Sequence, residues 1–224
     1  PRLGFLVASI AGQLTQPVEL WLVGPAKGGI KGGVSTLAKA GVELASTDSA
    51  RHCKLFSGTL SPAEFRMADF QQTVDLDGLA ICSLPGVFSS GRLDAGTALL
   101  LEALSDQMKS GQSSSRSALD LGCGAGVLSA WLARAGLAVS AVDISATAVE
   151  ATRLTLAANS LSGSVRQSDL FSAVDDRFDL LVTNPPFHQG RAQTFEVTQR
   201  LVQQAPDHLL PGGPLWVVAS RHLP

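Results

Sequence analysis

A doubly wound α/β fold on a parallel sheet is predicted by three features of this chain. From about Asp94 onward, short apolar runs alternate with helical patterns. The run Ser117 to Leu121 opens directly into Gly122-Cys123-Gly124-Ala125-Gly126, and later runs end on Asp143 and Asn184. Alternation of this kind packs helices on both faces of a parallel sheet through right-handed crossovers. Such sheets bind ligands outside the carboxyl ends of their strands, where the glycines and the two polar residues fall.

The N-terminal part is less regular. Val18 to Gly24 reads as a buried strand, followed by the loop Pro25 to Gly33 and a helix from about Ser35 to Ala40. Cys53 to Ser57 and Leu79 to Leu84 read as further short strands, the second stopped by Pro85-Gly86, and these pieces look like an incomplete α/β layer. A helix then runs from Asp94 through Leu104, and Lys109 to Ser115 is a polar linker. The strand Ser117 to Leu121 leads to a helix over Val127 to Ala135, and Ala138 to Val142 is a strand ending at Asp143. Ser145 is placed to cap the next helix, whose buried face should carry Ala146, Val149, Thr152, Leu156 and Ala157. A short strand at Val165 precedes Asp169, and Phe178 to Thr183 is a very apolar strand. A helix over about Thr194 to Leu210 and a strand from Leu215 to Ala219 follow.

Composition narrows the class. With 45% apolar and 16% charged residues over 224 positions, the chain can bury one generous core or two modest ones and should fold as a soluble protein. A net charge of -2 excludes a uniformly basic nucleic-acid binder, so any RNA contact must come from a local patch. Residues 1–70 hold seven Lys/Arg against five Asp/Glu, which puts the basic side in the N-terminal part. Cys53, Cys82 and Cys123 are odd in number and form no CxxC pair, so neither a disulfide framework nor a structural zinc site is expected, and a cytoplasmic location fits best. The first residues lack a charged leader, and no apolar run reaches the roughly 18 residues a membrane span needs. A chain opening on proline is expected to be a fragment or a processed product.

The glycine loop carries the first chemical signal. A dinucleotide fingerprint would need a third small residue at position 127, which is Val127, whereas the chain has Gly122, Gly124 and Gly126 at alternate positions with Asp120 two residues before them. That pattern resembles the S-adenosylmethionine loop of Rossmann-like methyltransferases, in which the glycines admit the amino acid and ribose portions of the cofactor. The competing reading is a tight turn with glycines for packing alone. Asp143, 23 residues after Asp120, is suited to accept both ribose hydroxyls, or else merely caps the following helix. Asp169 falls where such enzymes place a residue near the adenine amino group; the plainer alternative is a solvated loop aspartate.

Asn184-Pro185-Pro186-Phe187 discriminates further. An amine on a base is a poor nucleophile because its lone pair is delocalised into the ring, and accepting its N–H bonds turns that lone pair toward a methyl group. Asn184 through its amide oxygen and Pro185 through its carbonyl are the candidate acceptors, with Phe187 stacking on the base. Methyl transfer from a sulfonium needs alignment more than a strong base, and it needs no metal. The bland reading is a Pro-Pro turn after a strand. His188, next in line, is assigned no base role. Lys27 to Lys31 lacks the Gly-Lys-Ser/Thr ending of a P-loop and reads either as a basic loop touching RNA backbone, with Arg51, His52 and Lys54 adding to the patch, or as a solvated turn.

Taken together, Leu84-Pro85-Gly86-Val87-Phe88-Ser89, Leu93-Asp94-Ala95-Gly96-Thr97, Leu119 to Ser129 and Asn184 to His188 closely resemble the RsmC family, bacterial enzymes that methylate the N2 amino group of one guanine in small-subunit (16S) ribosomal RNA. The resemblance covers residues 18–224. It implies a Rossmann-like methyltransferase domain over 76–224, lacking its last strands, preceded by a partial, degenerate methyltransferase-like domain over 1–75 that assists folding and RNA recognition. It implies S-adenosylmethionine as cofactor, 16S ribosomal RNA or the small subunit as partner, and Phe88, Asp94, Gly96 and Thr97 lying over the cofactor. A plain helix start capped by Asp94 competes with that last reading. A monomer is expected. Methylation of adenine in nucleic acid or of glutamine in a protein, or a non-catalytic RNA-binding assembly factor, are the alternatives.

Overall fold

The computed structural model describes residues 2–88, 93–109, 116–185 and 191–219, the side chains of 191–195 excepted. The chain divides into two compact units, Pro1–Phe70 and Gln71–Pro224.

The first unit is α1 (Arg2–Ala11), β1 (Val18–Pro25), α2 (Ile30–Lys39), β2 (Leu44–Ala50) and β3 (Cys53–Leu60). Its sheet has the order β1-β3-β2, with β3 antiparallel to both neighbours, so β1 and β2 run parallel through the α2 crossover. Val7 and Ala11 of α1, Leu37 of α2, Val42 and Leu60 make the core, with Leu20 and Leu22 packed against it. The expected buried strand is therefore buried on one face alone, because helices cover one side of this sheet. Trp21 and Val23 are 50% and 68% exposed on the other. α2 starts earlier than Ser35, at Ile30, because the chain turns into the helix at Gly29, whose φ of 90° needs a glycine. β3 continues past Ser57 to Leu60, in full register with β1.

In the second unit, Leu79–Ser83 is not part of an N-terminal layer. It is β5, paired antiparallel with β4 (Gln72–Leu76) in a hairpin. The backbone N–H and C=O of Ala80 bond the side chain of Asn159, and the Cys82 N–H donates to Thr155 Oγ1 at 2.9 Å. These bonds tie the hairpin to α5 (Ala146–Ala158). The rest is α3 (Ala95–Lys109), β6 (Ser117–Leu121), α4 (Val127–Arg134), β7 (Ala138–Asp143), then α5, β8 (Ser164–Gln167), β9 (Leu180–Thr183), α6 (Arg191–Gln204), a 3-10 turn at Ala205–His208 and β10 (Leu215–Val217). The sheet order is β10-β9-β6-β7-β8, all parallel. The chain lays strands outward from β6 through β7 to β8 and then returns to add β9 and β10 on the other side. The order thus reverses between β6 and β9, the position where sheets of this kind hold ligands.

Period-two alternation feeds two cores. Ala118, Leu180 and Val182 face Leu100, Leu104, Leu128 and Leu132 on one side, while Leu119 and Leu181 face Phe171, Val174, Phe178 and Leu201 on the other. Asp179 ties the strand starts together, accepting from Arg116 N at 2.9 Å, Ser117 N at 2.8 Å and Ser117 Oγ at 2.9 Å. These bonds hold its carboxyl below the usual range. Two expectations on α5 fail: Ala146 and Ala157 are exposed, and Ala148, Ala151 and Thr155 are buried in their place, so the buried face is rotated by about one residue. The last expected helix ends earlier, at Gln204, where Pro206 follows and the chain tightens into the 3-10 turn. The strand expected from Phe178 begins at Leu180, with Phe178 making a lone bridge to Leu209.

Candidate functional site

The carboxyl edge of the parallel sheet is built by three strand ends. β6 stops at Leu121, and the N–H groups of Gly122 and Cys123 both donate to Val142 O of β7, at 2.8 and 3.0 Å. Gly122, Gly124 and Gly126 all adopt left-handed φ, 78°, 57° and 77°. Their surroundings differ. A methyl group on Gly126 would lie 2.9 Å from Thr152 Cγ2, so this glycine serves close helix packing, whereas one on Gly122 or Gly124 would meet nothing within 4 Å. The first two glycines thus present bare backbone to open space, as a ligand-binding turn requires.

Two carboxylates stand behind that turn. Asp143 Oδ2 accepts the Gly124 N–H at 3.0 Å and its Oδ1 the Ser145 N–H at 2.8 Å, while Ser145 itself caps α5 by accepting from Ala148 N. The helix-cap role therefore belongs to Ser145, and each oxygen of half-buried Asp143 keeps a lone pair for a further donor. Asp120 is 1% exposed; Oδ2 accepts from Ser129 Oγ at 2.5 Å, and Oδ1 has no partner among the described residues. Burial pushes its carboxyl up to about 7, against the hydrogen bonds from Ser129 and with a small push from the charge of Asp143. Burial likewise raises the Cys123 thiol, which accepts from Thr152 Oγ1, so it is no nucleophile. Asp169 is exposed, and its Oδ2 is engaged by Arg200 of α6 at 3.1 Å. Ile144, 67% exposed directly after Asp143, is an apolar surface at this edge that the strand pattern did not flag.

On the other side of β6, Thr183 Oγ1 donates to Leu121 O at 2.7 Å, holding the end of β9 against the end of β6. The register Asp120↔Val182 puts Gly122 and Asn184 each two residues past the last paired positions of adjacent parallel strands, at the same edge of the sheet. The Asn184 amide is fully engaged on its nitrogen: Nδ2 donates to Asp94 Oδ2 at 2.8 Å and to Thr97 Oγ1 at 2.9 Å. A reversed amide would set its oxygen against a carboxylate oxygen, so the orientation is decided by chemistry as well as distance. Asp94 Oδ2 in turn accepts the N–H groups of Gly96 and Thr97 at the start of α3, at 2.9 and 3.1 Å. Asp94 is thus both helix cap and partner of Asn184. Thr97 is buried with its hydroxyl on the Asn184 amide. Pro185 is buried, and Phe187 and His188 lie outside the described residues.

A family model described as methyltransferase small domain matches residues 78–224, and one described as its N-terminal domain matches residues 1–74. The ribosomal RNA small subunit methyltransferase C of Alcanivorax borkumensis is 48% identical over all of this chain, which covers 68% of that protein. The chain belongs to the RsmC family. Its counterpart of the same name in Chromohalobacter salexigens is 40% identical over 96% of the chain and 64% of that relative. A solved structure, the 16S rRNA N2 G1207 methyltransferase (RsmC) of T. thermophilus in complex with AdoMet and guanosine, superposes with a TM-score of 0.79 at 28% identity, covering 98% of this chain and 61% of that one. The chain thus spans about two thirds of the length of these RsmC relatives.

Within this RsmC chain the two units carry different edges. In the first, the loop after β1 is held by Ala26 N donating to His52 O at 2.7 Å, which brings the loop of exposed Lys27 to the β2–β3 turn of exposed Arg51 and His52; Lys31 is exposed in the first turn of α2, and Lys54 is half-buried. Among the described residues, no group of three or more His, Cys, Asp or Glu could hold a metal ion, and no helix is long and apolar enough to cross a membrane.

Proposed function

We propose that this chain transfers a methyl group from S-adenosylmethionine to the exocyclic N2 of a guanine in small-subunit (16S) ribosomal RNA, as a monomer in the cytoplasm, with naked RNA or the small subunit as its partner. The observation that carries this reading is the Asn184 amide, its nitrogen committed inside the protein, at the end of a strand next to an open glycine turn. The names of the relatives and the guanosine bound in the T. thermophilus enzyme support it.

The residues present suit the cofactor. Open backbone at Gly122 and Gly124 admits its amino acid and ribose portions, the unpartnered oxygen of Asp120 is a buried acceptor for a cationic donor, and Asp143 retains acceptors for the ribose hydroxyls. Gly126 shapes the turn by packing on Thr152, and Asp169 offers the adenine amino group the oxygen that does not face Arg200. Thr97 meets this region through Asn184. When bound, S-adenosylmethionine supplies an electrophilic methyl group on a sulfonium. Asn184 Oδ1 accepts one N–H of the guanine amine and the Pro185 carbonyl the other, which frees the nitrogen lone pair; Phe187 stacks on the base. Residues 76–224 form the catalytic domain in this reading, and residues 1–75 a degenerate copy that assists folding and RNA recognition.

The test is incubation of the protein with methyl-deficient small subunits and labelled S-adenosylmethionine, followed by mass mapping of the RNA. Label on guanine N2 is expected, and Asn184→Ala should lower turnover at least about 100-fold, the cost of losing alignment, with cofactor affinity retained. Label on adenine or on a protein glutamine would transfer the reading to those amines, and calorimetric failure to bind S-adenosylmethionine would favour a non-catalytic assembly factor.

A further inference from the structure

We propose that Asp94 is a positioning residue for methyl transfer, which together with Thr97 locks the Asn184 amide so that its oxygen alone is offered to the incoming amine. The inference rests on the reading of Asn184 as acceptor for a base amine. The two ends of an asparagine amide are nearly the same size, so packing cannot choose between them; hydrogen-bond partners must. A carboxylate oxygen accepts only, and Asp94 Oδ2, 2.8 Å from Asn184 Nδ2, therefore selects the orientation in which nitrogen faces inward. Thr97 Oγ1 takes the second amide hydrogen at 2.9 Å, leaving the amide no donor to turn toward substrate.

The clamp is built into a helix start. Asp94 Oδ2 is held by the Gly96 and Thr97 N–H groups, so the acceptor moves with α3 and cannot rotate away without uncapping it. Gly96 belongs to the same arrangement. A methyl group there would come within 2.7 Å of Val218 Cγ1, 3.1 Å of Asp94 Oδ2 and 3.3 Å of Asn184 Oδ1. Any side chain at that position would press on both partners of the clamp. The consequence is selectivity by hydrogen-bond polarity: a group that donates N–H is accepted, and a ring nitrogen that only accepts meets an oxygen.

Asp94→Asn separates clamping from capping. Asparagine caps a helix as well as aspartate, yet its amide brings a donor that lets Asn184 flip. In the full chain, D94N is expected to lower kcat for RNA methylation by roughly 10- to 100-fold, with KM for RNA, cofactor affinity and melting temperature near wild type. Thr97→Val should lower kcat by about 10-fold, and Thr97→Ser, which keeps the hydroxyl, should restore most of it. Wild-type kcat in D94N, or a loss that tracks cofactor affinity or melting, would overturn the proposal. If the wild-type protein methylates no base amine, the function proposed above fails by itself. The clamp is then decided by the Asn184 side-chain amide hydrogens in NMR, which must exchange slowly in the wild type and rapidly in D94N; rapid exchange in both overturns it.

Discussion

β1 leads through residues 26–29 into α2, and β6 leads through residues 122–126 into α4; each helix is entered from a glycine in the left-handed region with no side-chain cap, Gly29 at φ 90° and Gly126 at φ 77°. The local architecture is shared, and the charges around it are opposite. Behind the second loop stand Asp120 and Asp143; beside the first stand Lys27, Lys31, Arg51 and His52. A strand-loop-helix turn is therefore a generic scaffold, and the groups at its carboxyl edge decide what it receives. An acidic, open edge suits a sulfonium donor with hydroxyls and an ammonium group, and a basic edge suits the phosphates of an RNA chain.

The largest expected contrast is electrostatic. Asp120 lies buried at the end of β6, whereas β1 buries no acid. With the folded carboxyl pushed up to about 7 from 3.8, the native state holds a proton that the unfolded chain has already lost between those values. The Asp120 contribution to stability should therefore fall as pH rises from about 4 to 7, by at most about 4 kcal/mol. Asp120→Asn should abolish that slope in urea unfolding followed across pH. An unchanged slope in the variant would show that Asp120 titrates normally and that its strand end is wetter than the burial indicates.

Core truncation comes next. Leu181 is fully buried in a sheet covered on both faces, while Leu22 is partly exposed in a sheet covered on one. Leu181→Ala should cost about 2–5 kcal/mol, and Leu22→Ala about 1–2 kcal/mol since less area returns to water. Amide hydrogen exchange within each unit measures the two losses separately. Equal losses would mean that the inner face of β1 is better covered than the partial exposure of Leu22 states.

The glycine turns give a third contrast, near 100-fold in affinity. Gly124→Val fills open space in front of the acidic loop and forces a β-branched residue into a left-handed φ, so S-adenosylmethionine binding by calorimetry should weaken by roughly 100-fold. Gly29→Val imposes the same backbone strain in the first unit and should leave cofactor affinity unchanged.

How much of this was legible follows from where the signals sit. The glycine loop, the Ser145 cap, the parallel alternation and the strand ends at Asp143 and Asn184 are local patterns, and the structure has the corresponding strands and helices. α1 is hard to read because its residues, Arg2 and Ser9 apart, are apolar or glycine, so no polar face marks a helical period. β2 reads Leu-Ala-Ser-Thr-Asp-Ser-Ala without apolar alternation. It is a strand because the turn at Arg51 and His52, both at positive φ with no glycine, folds it onto β3. β4 escaped for a similar reason, since its pairing with β5 and the packing of that hairpin on α5 are tertiary. The sequence marks Asp94 only as a helix cap or a cofactor neighbour. Its bond to Asn184 joins residues 90 positions apart and leaves no mark in either local pattern.

The smallest effect concerns the basic edge. Lys27 and Arg51 are exposed and lie on two loops joined by the Ala26–His52 hydrogen bond, so neither supports the core and both can be neutralised without loss of fold. If RNA backbone passes over them, each contacted phosphate releases condensed counterions, and affinity falls with salt in proportion to the number of contacts. Lys27→Gln with Arg51→Gln should then raise KM for RNA several-fold at moderate salt and reduce the slope of log affinity against log salt by up to about 2, one per cation removed. Turnover at saturating RNA and cofactor affinity should stay as in the wild type, because the proposed methyl-transfer site lies at the other edge. A slope equal to that of the wild type would assign the basic loop to solvent and leave RNA recognition to residues of the acidic unit.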